Sequence, residues 1–339
     1  MGIVKEKKKK ISRVCIVDTA YTLFFYYLNY SSDEIDHTFF FVSEGLSNSI
    51  RERLPQYHFF KKRKNVCQRF LFRSFLKITS RFRWPFLKNM PIYGLDHLTF
   101  SSGLISNKKY TLLEDAPYIA LRYFNSPLHI ENIKHRSFKI ECLFVDILFG
   151  RVFLRPFGEN SQCEQVIFSA KDTHPTVSEK NIQVKSLEQL WNHSSEEKKK
   201  MILRLFDINN ADIASLSSKS IVIFTQPFFK DNIVSKEEQI QIYDKIIKQY
   251  PTKDILLKIH PRDPIDYSSY FPNIAIFEKI VPNQLLNLSG VKFKKAVTVS
   301  SSSVLSFPYE IDIDWIGTKI HPKIEATLGD IKMPSMKNI

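Results

Sequence analysis

Several groups of side chains in this chain have the chemistry needed to move a charged group onto a hydroxyl. The first is His260-Pro261-Arg262, which follows the apolar run Ile255-Leu256-Leu257-Lys258-Ile259. A histidine can donate a proton or a hydrogen bond to a departing phosphate, and an arginine can meet its charge with a fixed cation. The second is Ser300-Ser301-Ser302-Ser303, directly after the apolar stretch Ala296–Val299. Small hydroxyls and free amides at the start of a helix make an anion site, and serines also simply cap helices. The third is Gln226-Pro227-Phe228-Phe229-Lys230-Asp231-Asn232, after Ile221–Phe224. Asp231 supplies a carboxylate able to take a proton from an acceptor hydroxyl. In the first half, Glu114-Asp115 follows Tyr110–Leu113, and His97 lies nearby in sequence. Each group has a plainer reading as well: a proline turn, a serine cap, a loop aspartate, a structural histidine.

Other chemistries are excluded by what is missing. There are 9 glycines, with no Gly-x-Gly-x-x-Gly and no Gly-x-x-x-x-Gly-Lys loop, so the common phosphate cradles are absent. Cys15, Cys67, Cys142 and Cys163 are widely scattered, with no Cys-x-x-Cys and no His-Glu-x-x-His. Neither a disulfide framework nor a zinc site is expected, and a reducing, cytoplasmic compartment fits. Asp312-Ile313-Asp314 has metal-ligand spacing but begins an apolar run, and reads as strand-edge polarity. No metal site is expected.

The candidate groups need elements to hold them. A length of 339 residues suggests about two domains at ~150 residues each. Apolar runs at Val14–Val17, Thr38–Val42, Tyr110–Leu113, Ile221–Phe224, Ile255–Ile259, Ile274–Phe277, Ala296–Val299 and Ile313–Ile316 read as buried parallel strands. Residues 125–185 look strand-rich. Helices are expected over Ala20–Leu28, Ser186–Leu205 and Pro282–Leu288. Another should start at Ser235, which forms a capping box with Glu238 and precedes Ile240, Tyr243 and Ile247 at helical spacing. Alternating strands and helices imply doubly wound sheets, in which ligands bind beyond the carboxyl ends of the strands. The expected fold is α/β, with two Rossmann-like domains facing a cleft. The boundaries are 1–206 and 207–339, with the polar, Ser-rich stretch Asp207–Lys219 as linker. His260 and the serine turn are expected on neighbouring strands.

The net charge of +14 is uneven: Arg51 to Lys88 holds twelve Lys or Arg and one acidic residue, Glu52. Phe59, Phe60, Phe70, Phe72, Phe75, Phe82, Trp84 and Phe86 are interleaved with them. Basic and aromatic residues together suit an anionic membrane surface, and they also suit nucleic acid. A solvated, partly helical insertion over about 51–90, with its rings packed inward, fits too. The basic start Lys5–Lys10 leads into no signal peptide, and no stretch of ~20 uncharged apolar residues occurs to span a membrane.

Several blocks resemble the bacterial sialyltransferases of glycosyltransferase family 52, which act on lipooligosaccharide or capsular polysaccharide. Val14 to Leu23 resembles that family's opening strand and Asp-Thr-Pro-Tyr turn, with Ala20 in place of the proline. Tyr93-Gly94-Leu95-Asp96-His97-Leu98 and Leu112-Leu113-Glu114-Asp115 resemble two first-domain blocks, with Ala116 where a glycine is usual. Thr225-Gln226-Pro227 through Asp231 resembles the Gln-Pro block, here with a single carboxylate, and Ile259 to Arg262 and Ser300 to Ser303 match two further blocks. The resemblance implies a GT-B fold, a CMP-sialic acid donor, inversion at the anomeric carbon and no cofactor or metal.

Carried over by position, His260 would act on the departing phosphate. Ser301 and Ser302 would bind that phosphate, with Gln226, Pro261, Arg262 and Ser300 also on the donor side. Asp231 would be the general base, with Asp115 as the first-domain alternative. Thr19, His97 and Glu114 would lie on the acceptor side. The expected partners are CMP-sialic acid, a galactose-type acceptor on a lipid-linked or capsular glycan, and an anionic membrane at the inner face of the plasma membrane. A homodimer is left open, and no nucleic acid is expected. The alternatives are a GT-B transferase using another nucleotide sugar, and a basic binding protein on an inactive GT-B fold.

Overall fold

A computed structural model describes residues 10–63, 65–106, 108–117, 139–170, 181–305 and 307–333. The chain divides into two compact units, Met1–Leu205 and Phe206–Ile339.

The first unit is built on seven strands: β1 (Arg13–Ile16), β2 (Thr38–Val42), β3 (Tyr57–Phe59), β4 (Ile92–Gly94), β5 (Tyr110–Leu113), β6 (Cys163–Phe168) and β7 (Asn181–Val184). They pair in the order β3-β2-β1-β4-β5-β6-β7, and every pair is parallel. The interior strand β1 is buried after Arg13, from Val14 to Ile16, because both of its faces are covered. Thr19 starts the following helix, Ala20–Asn29: its hydroxyl accepts from the Thr22 amide, 3.2 Å away. That helix is buried from Tyr21 to Leu28, which explains its nearly all-apolar sequence. Gly94 ends β4 at φ +118°, and a Cβ there would lie 2.0 Å from the Ile16 carbonyl oxygen. Only glycine lets the chain turn this close to β1.

The basic stretch 51–90 is woven into this unit rather than inserted in it. It supplies β3 and the helix Val66–Arg83, and Phe60, Leu76 and Trp84 are buried in the core. Phe41, Phe60 and Trp84 pack as an aromatic cluster, with Phe41 and Trp84 edge to face at 4.9 Å. Phe59, Phe75 and Phe82 are exposed, so the inward-packing reading holds for only some of the rings.

The second unit has five strands: β8 (Ile221–Phe224), β9 (Ile255–Lys258), β10 (Ala275–Phe277), β11 (Lys295–Thr298) and β12 (Asp312–Trp315). Their order is β10-β9-β8-β11-β12, again all parallel. The helix Lys236–Ile247 has the expected reciprocal cap between Ser235 and Glu238. Asp312 and Asp314 lie on the edge strand and bond to Lys295 and Tyr250.

Four expectations are corrected. The polar stretch Asp207–Lys219 is not an open linker: it folds as a helix, Asn210–Ser217, with a reciprocal cap between Asn209 and Asp212. Its composition is that of an exposed helix. Ser186–Leu205 forms two helices, Leu187–Asn192 and Glu196–Leu205, because Ser194 and Ser195 turn the chain between them. Within 125–185, residues 125–138 and 171–180 lie outside the described residues, and the helix Lys139–Phe149 precedes β6 and β7. The strands carrying His260 and the serine turn are not neighbours: β8 lies between β9 and β11.

Candidate active site

Each sheet gathers candidate residues at the carboxyl edge of its central strands. In the first unit, Ile16 is level with Phe41 and Gly94, and Gly94 with Leu112. The residues just past these positions therefore meet. Asp115 is the centre of the group. Its Oδ1 accepts from the Thr19 hydroxyl at 2.9 Å and lies 3.4 Å from that of Thr22, while its Oδ2 lies 3.4 Å from His97 Nε2. Burial works against a charged Asp115. His97, Thr19 and Thr22 outweigh it and hold the carboxyl below its usual range. His97 is affected in the opposite sense: burial disfavours the cation, but Asp115, Asp96 and Asp18 hold its pKa above the usual value.

The His97 ring stacks on Phe157 at 4.5 Å, and its Nδ1 is buried without a hydrogen-bond partner among the described residues. Glu114 is buried and accepts from the Tyr21 hydroxyl. Two residues of the same sequence blocks that carried no expected site role, Asp96 and Asp18, complete this edge. Buried Asp96 accepts from Tyr110 at 2.6 Å and from the Phe157 and Gly158 amides, both at 2.8 Å, which fixes the loop that carries His97. Asp18 accepts from the Gly45 amide at 2.9 Å and pairs with Lys62 at 3.0 Å.

In the second unit, Phe224 is level with both Lys258 and Thr298, so β8, β9 and β11 end in one row. Thr225, His260 and Ser300 follow. The His260 amide donates to Thr225 Oγ1 at 2.9 Å, and the Ser300 hydroxyl donates to Gln226 Oε1 at 2.8 Å. His260 to Asp263 forms a tight turn in which the Asp263 amide donates to the His260 carbonyl at 2.8 Å. Pro261, with its fixed φ, suits the second position of that turn. The Arg262 amide donates to His260 Nδ1 at 3.1 Å, so the neutral ring carries its proton on Nε2. Burial, then Arg262 and Lys258, push the His260 pKa down to about 4. Arg262 also grips both oxygens of Asp231, at 2.7 and 3.1 Å.

The serine turn differs from its expected form. It leads into a short 3₁₀ turn, Ser302–Leu305, not an α-helix. The Ser301 amide donates to Thr298 Oγ1 at 2.8 Å and the Ser303 amide to Ser301 Oγ at 3.3 Å, so two of the amides expected to meet an anion are satisfied internally. The Ser302 side chain lies outside the described residues.

Three supporting residues were missed. Buried Gln239 accepts from the Phe229 amide at 2.6 Å and donates to Asp263 at 2.8 Å, tying the Asp231 loop to the Arg262 loop. Tyr243, one turn later on the same helix, accepts from the Gln226 amide at 2.6 Å. A glutamine on the inward stripe of an amphipathic helix was the available signal. Lys258 is buried, with a pKa pushed down to about 8 by burial, and donates to the Val281 carbonyl at 3.1 Å. Its signal was a lysine interrupting an apolar strand. Among the described residues, no group of three or more His, Cys, Asp and Glu is placed to hold a metal ion.

The family profile of glycosyltransferase family 52 matches residues 44–324. The chain belongs to glycosyltransferase family 52. A relative in Haemophilus influenzae, an uncharacterized protein, is 30% identical over 247 residues, covering 73% of this chain and 74% of its own. Among solved structures, the family 52 chain resembles an α/β-galactoside α-2,3-sialyltransferase from Photobacterium phosphoreum. The TM-score is 0.56 and the identity 13%, with 91% of this chain and 90% of that one covered. It also resembles a 2,6-sialyltransferase from Photobacterium sp. JT-ISH-224 crystallised with CMP and lactose. There the TM-score is 0.58 and the identity 10%, over 88% of this chain and 69% of the other. The GT-B domain of a Photobacterium damselae sialyltransferase matches at TM-score 0.53 and 12% identity, over 89% of each chain. These likenesses show the GT-B fold, and the family makes the chain a glycosyltransferase.

Proposed function

We propose that this glycosyltransferase moves sialic acid from CMP-sialic acid to a galactose-type hydroxyl, with inversion and without a metal. The observation that carries the reading is the row Thr225, His260, Ser300 at the carboxyl edge of the second sheet, where Gln226 and Arg262 also lie. The 2,6-sialyltransferase with CMP and lactose shares the fold and supports this choice of donor and acceptor classes.

The reaction is one in-line displacement. The acceptor oxygen forms a bond to the anomeric carbon as the bond from that carbon to the phosphate oxygen breaks. The acceptor proton goes to a carboxylate, and CMP leaves as a monophosphate. His260 stands neutral with its proton on Nε2, so its part is to donate a hydrogen bond to the leaving phosphate. Lys258 and Arg262, which depress its pKa, add positive potential at the same edge. An arriving phosphate reverses that depression and draws His260 toward the cation, so its help grows as the bond breaks. Pro261 holds the turn that presents it. Ser300, bonded to Gln226, and the Ser301 turn border the phosphate, with Ser302 assigned there by family position.

Asp231 is the base. Arg262 engages both of its oxygens, and the base becomes available as Arg262 turns to the donor's negative charge. Donor binding thus readies the base. Asp115, held ionised beside His97, is the alternative. Thr19, His97 and Glu114 are assigned to the acceptor. A monophosphate leaving group needs no pyrophosphate-clamping ion, which supports metal independence. A lipooligosaccharide or capsular acceptor, a cytoplasmic location and self-association belong to the same proposal.

Thermal unfolding with nucleotides tests the donor. A ligand that binds only the native state raises the melting temperature. CMP should do so, and a rise with UDP or GDP but none with CMP would replace the donor.

A further inference from the structure

At the carboxyl edge of the first sheet, beside the Thr19, His97 and Asp115 group, lies a small basic cleft that the transfer step does not use. Three adjacent strands end around it. Ile16 is level with Phe41, and Val42 with Phe59. The loops after β1, β2 and β3 therefore bring Asp18, Ser43 and the run Lys61-Lys62-Arg63 to one place. The loop after β4 adds Leu98 and Thr99. Buried Phe60 and Phe100 form an apolar floor, their rings 4.8 Å apart. The cleft measures about 40 Å³. A single water needs roughly 10–15 Å³, so a carboxylate or phosphate group fits and a sugar ring does not.

Asp18 is the one acid in the lining among the described residues, and it is already engaged. Its Oδ1 accepts from the Ser43 hydroxyl and the Gly45 amide, and its Oδ2 pairs with Lys62 at 3.0 Å. Glu44 is exposed and accepts from the Lys62 amide at 3.3 Å, which pins the backbone of the basic loop. Lys61 and Arg63 have no carboxylate partner among the described residues, and the Arg63 guanidinium rests 5.1 Å over the Phe72 ring. A lone surface lysine is simply solvated. Here three consecutive cations line one cavity against a single neutralised carboxylate, and apolar walls focus their field into it. The place of the cleft selects its occupant. Asp18 immediately precedes Thr19, whose hydroxyl donates to Asp115, and Leu98 immediately follows His97. A ligand that reaches His97 and Asp115 therefore has this cleft beside it.

We propose that this cleft receives a carboxylate or phosphate group carried by the acceptor, so that the preferred acceptor is an anionic galactoside. The inference rests on the reading of the first unit as the acceptor side. The experiment compares lactose with two charged galactosides, lactobionate and lactose phosphorylated at C6 of its glucose. At least one charged galactoside should be used with a kcat/KM about tenfold above that of lactose. That preference should shrink as salt rises. Lys61→Gln combined with Arg63→Gln, both at exposed positions, should bring the ratio close to one. If the double variant melts early, because Arg63 lies over Phe72, Lys61→Gln alone replaces it and should lower the ratio about threefold. A second arm needs no turnover. Inorganic phosphate should raise the melting temperature of the full chain, and raise that of the variant by less. Equal use of charged and neutral galactosides would overturn the proposal, as would an equal phosphate shift in the variant. So would a variant whose loss is a raised KM for CMP-sialic acid with lactose as acceptor; the cleft would then hold the donor's carboxylate. If no galactoside is sialylated at all, it is the transfer reading that fails, and the phosphate arm alone decides for or against the cleft.

Discussion

At the edge of the first sheet a histidine faces carboxylates, and at the edge of the second a histidine faces cations. His97 has Asp115 at 3.4 Å and feels Asp96 and Asp18, so its pKa is raised in spite of burial. His260 stands over buried Lys258 and beside Arg262, so its pKa falls to about 4. The topology is the same, with parallel strands ending level and polar loops beyond them. What differs is the charge that each loop brings back to the edge. The first edge holds a histidine whose cation the neighbouring carboxylates favour. The second holds a neutral hydrogen-bond donor in a positive field, which suits an incoming phosphate and would suit a cation poorly.

Removing the second histidine should have the largest effect. His260→Ala should lower kcat by about 10²–10⁴-fold with KM little changed, because its hydrogen bond strengthens only as the phosphate leaves. His97→Ala should cost much less in kcat. If His97→Ala is the more damaging, the two edges have been assigned the wrong roles.

Asp231→Asn and Asp115→Asn set the two carboxylates against each other. With Asp231 as base, its loss should rival that of His260, and Asp115→Asn should retain most turnover. The reverse result moves the base to the first unit. Gly94→Ala probes how the first edge is built. A Cβ 2.0 Å from the Ile16 carbonyl, at φ +118°, should cost about 2 kcal/mol or more in thermal or urea unfolding. An unchanged melting temperature would mean that the turn before His97 is not fixed by that contact.

The smallest effect is in pH. A raised folded pKa means that the stabilisation from His97 is complete below about 6.5 and is lost as pH rises through its folded pKa. A lowered one means that the stabilisation tied to neutral His260 is complete above about 6.5 and is lost as pH falls toward about 4. Imidazole signals followed by NMR should therefore titrate on opposite sides of the ordinary value. Coincident titrations would erase the difference between the edges.

Much of the second unit was legible in the sequence because its strands are short, continuous apolar runs closed by polar turns. Ser235 with Glu238 announced its main helix. The strand order was not legible. Nothing local says that β8 runs between β9 and β11, since order is set by crossovers and not by composition. The helix Asn210–Ser217 was hidden because an exposed, serine-rich helix has the composition of a linker. At the candidate site, His260, Arg262 and Asp231 stood out by type. The Arg262 grip on Asp231, the Gln239 brace and the field of Lys258 depend on side chains meeting across loops, which spacing alone does not report.

The most direct measurement is incubation of the full chain with CMP-sialic acid, a panel of galactosides and EDTA, followed by mass and linkage analysis of the products. The products should be a galactoside carrying one added sialic acid and an equal amount of CMP, and turnover should survive the chelator. No sialylated product with CMP-sialic acid, alongside glycosylation from a different nucleotide sugar, would contradict the proposed transfer.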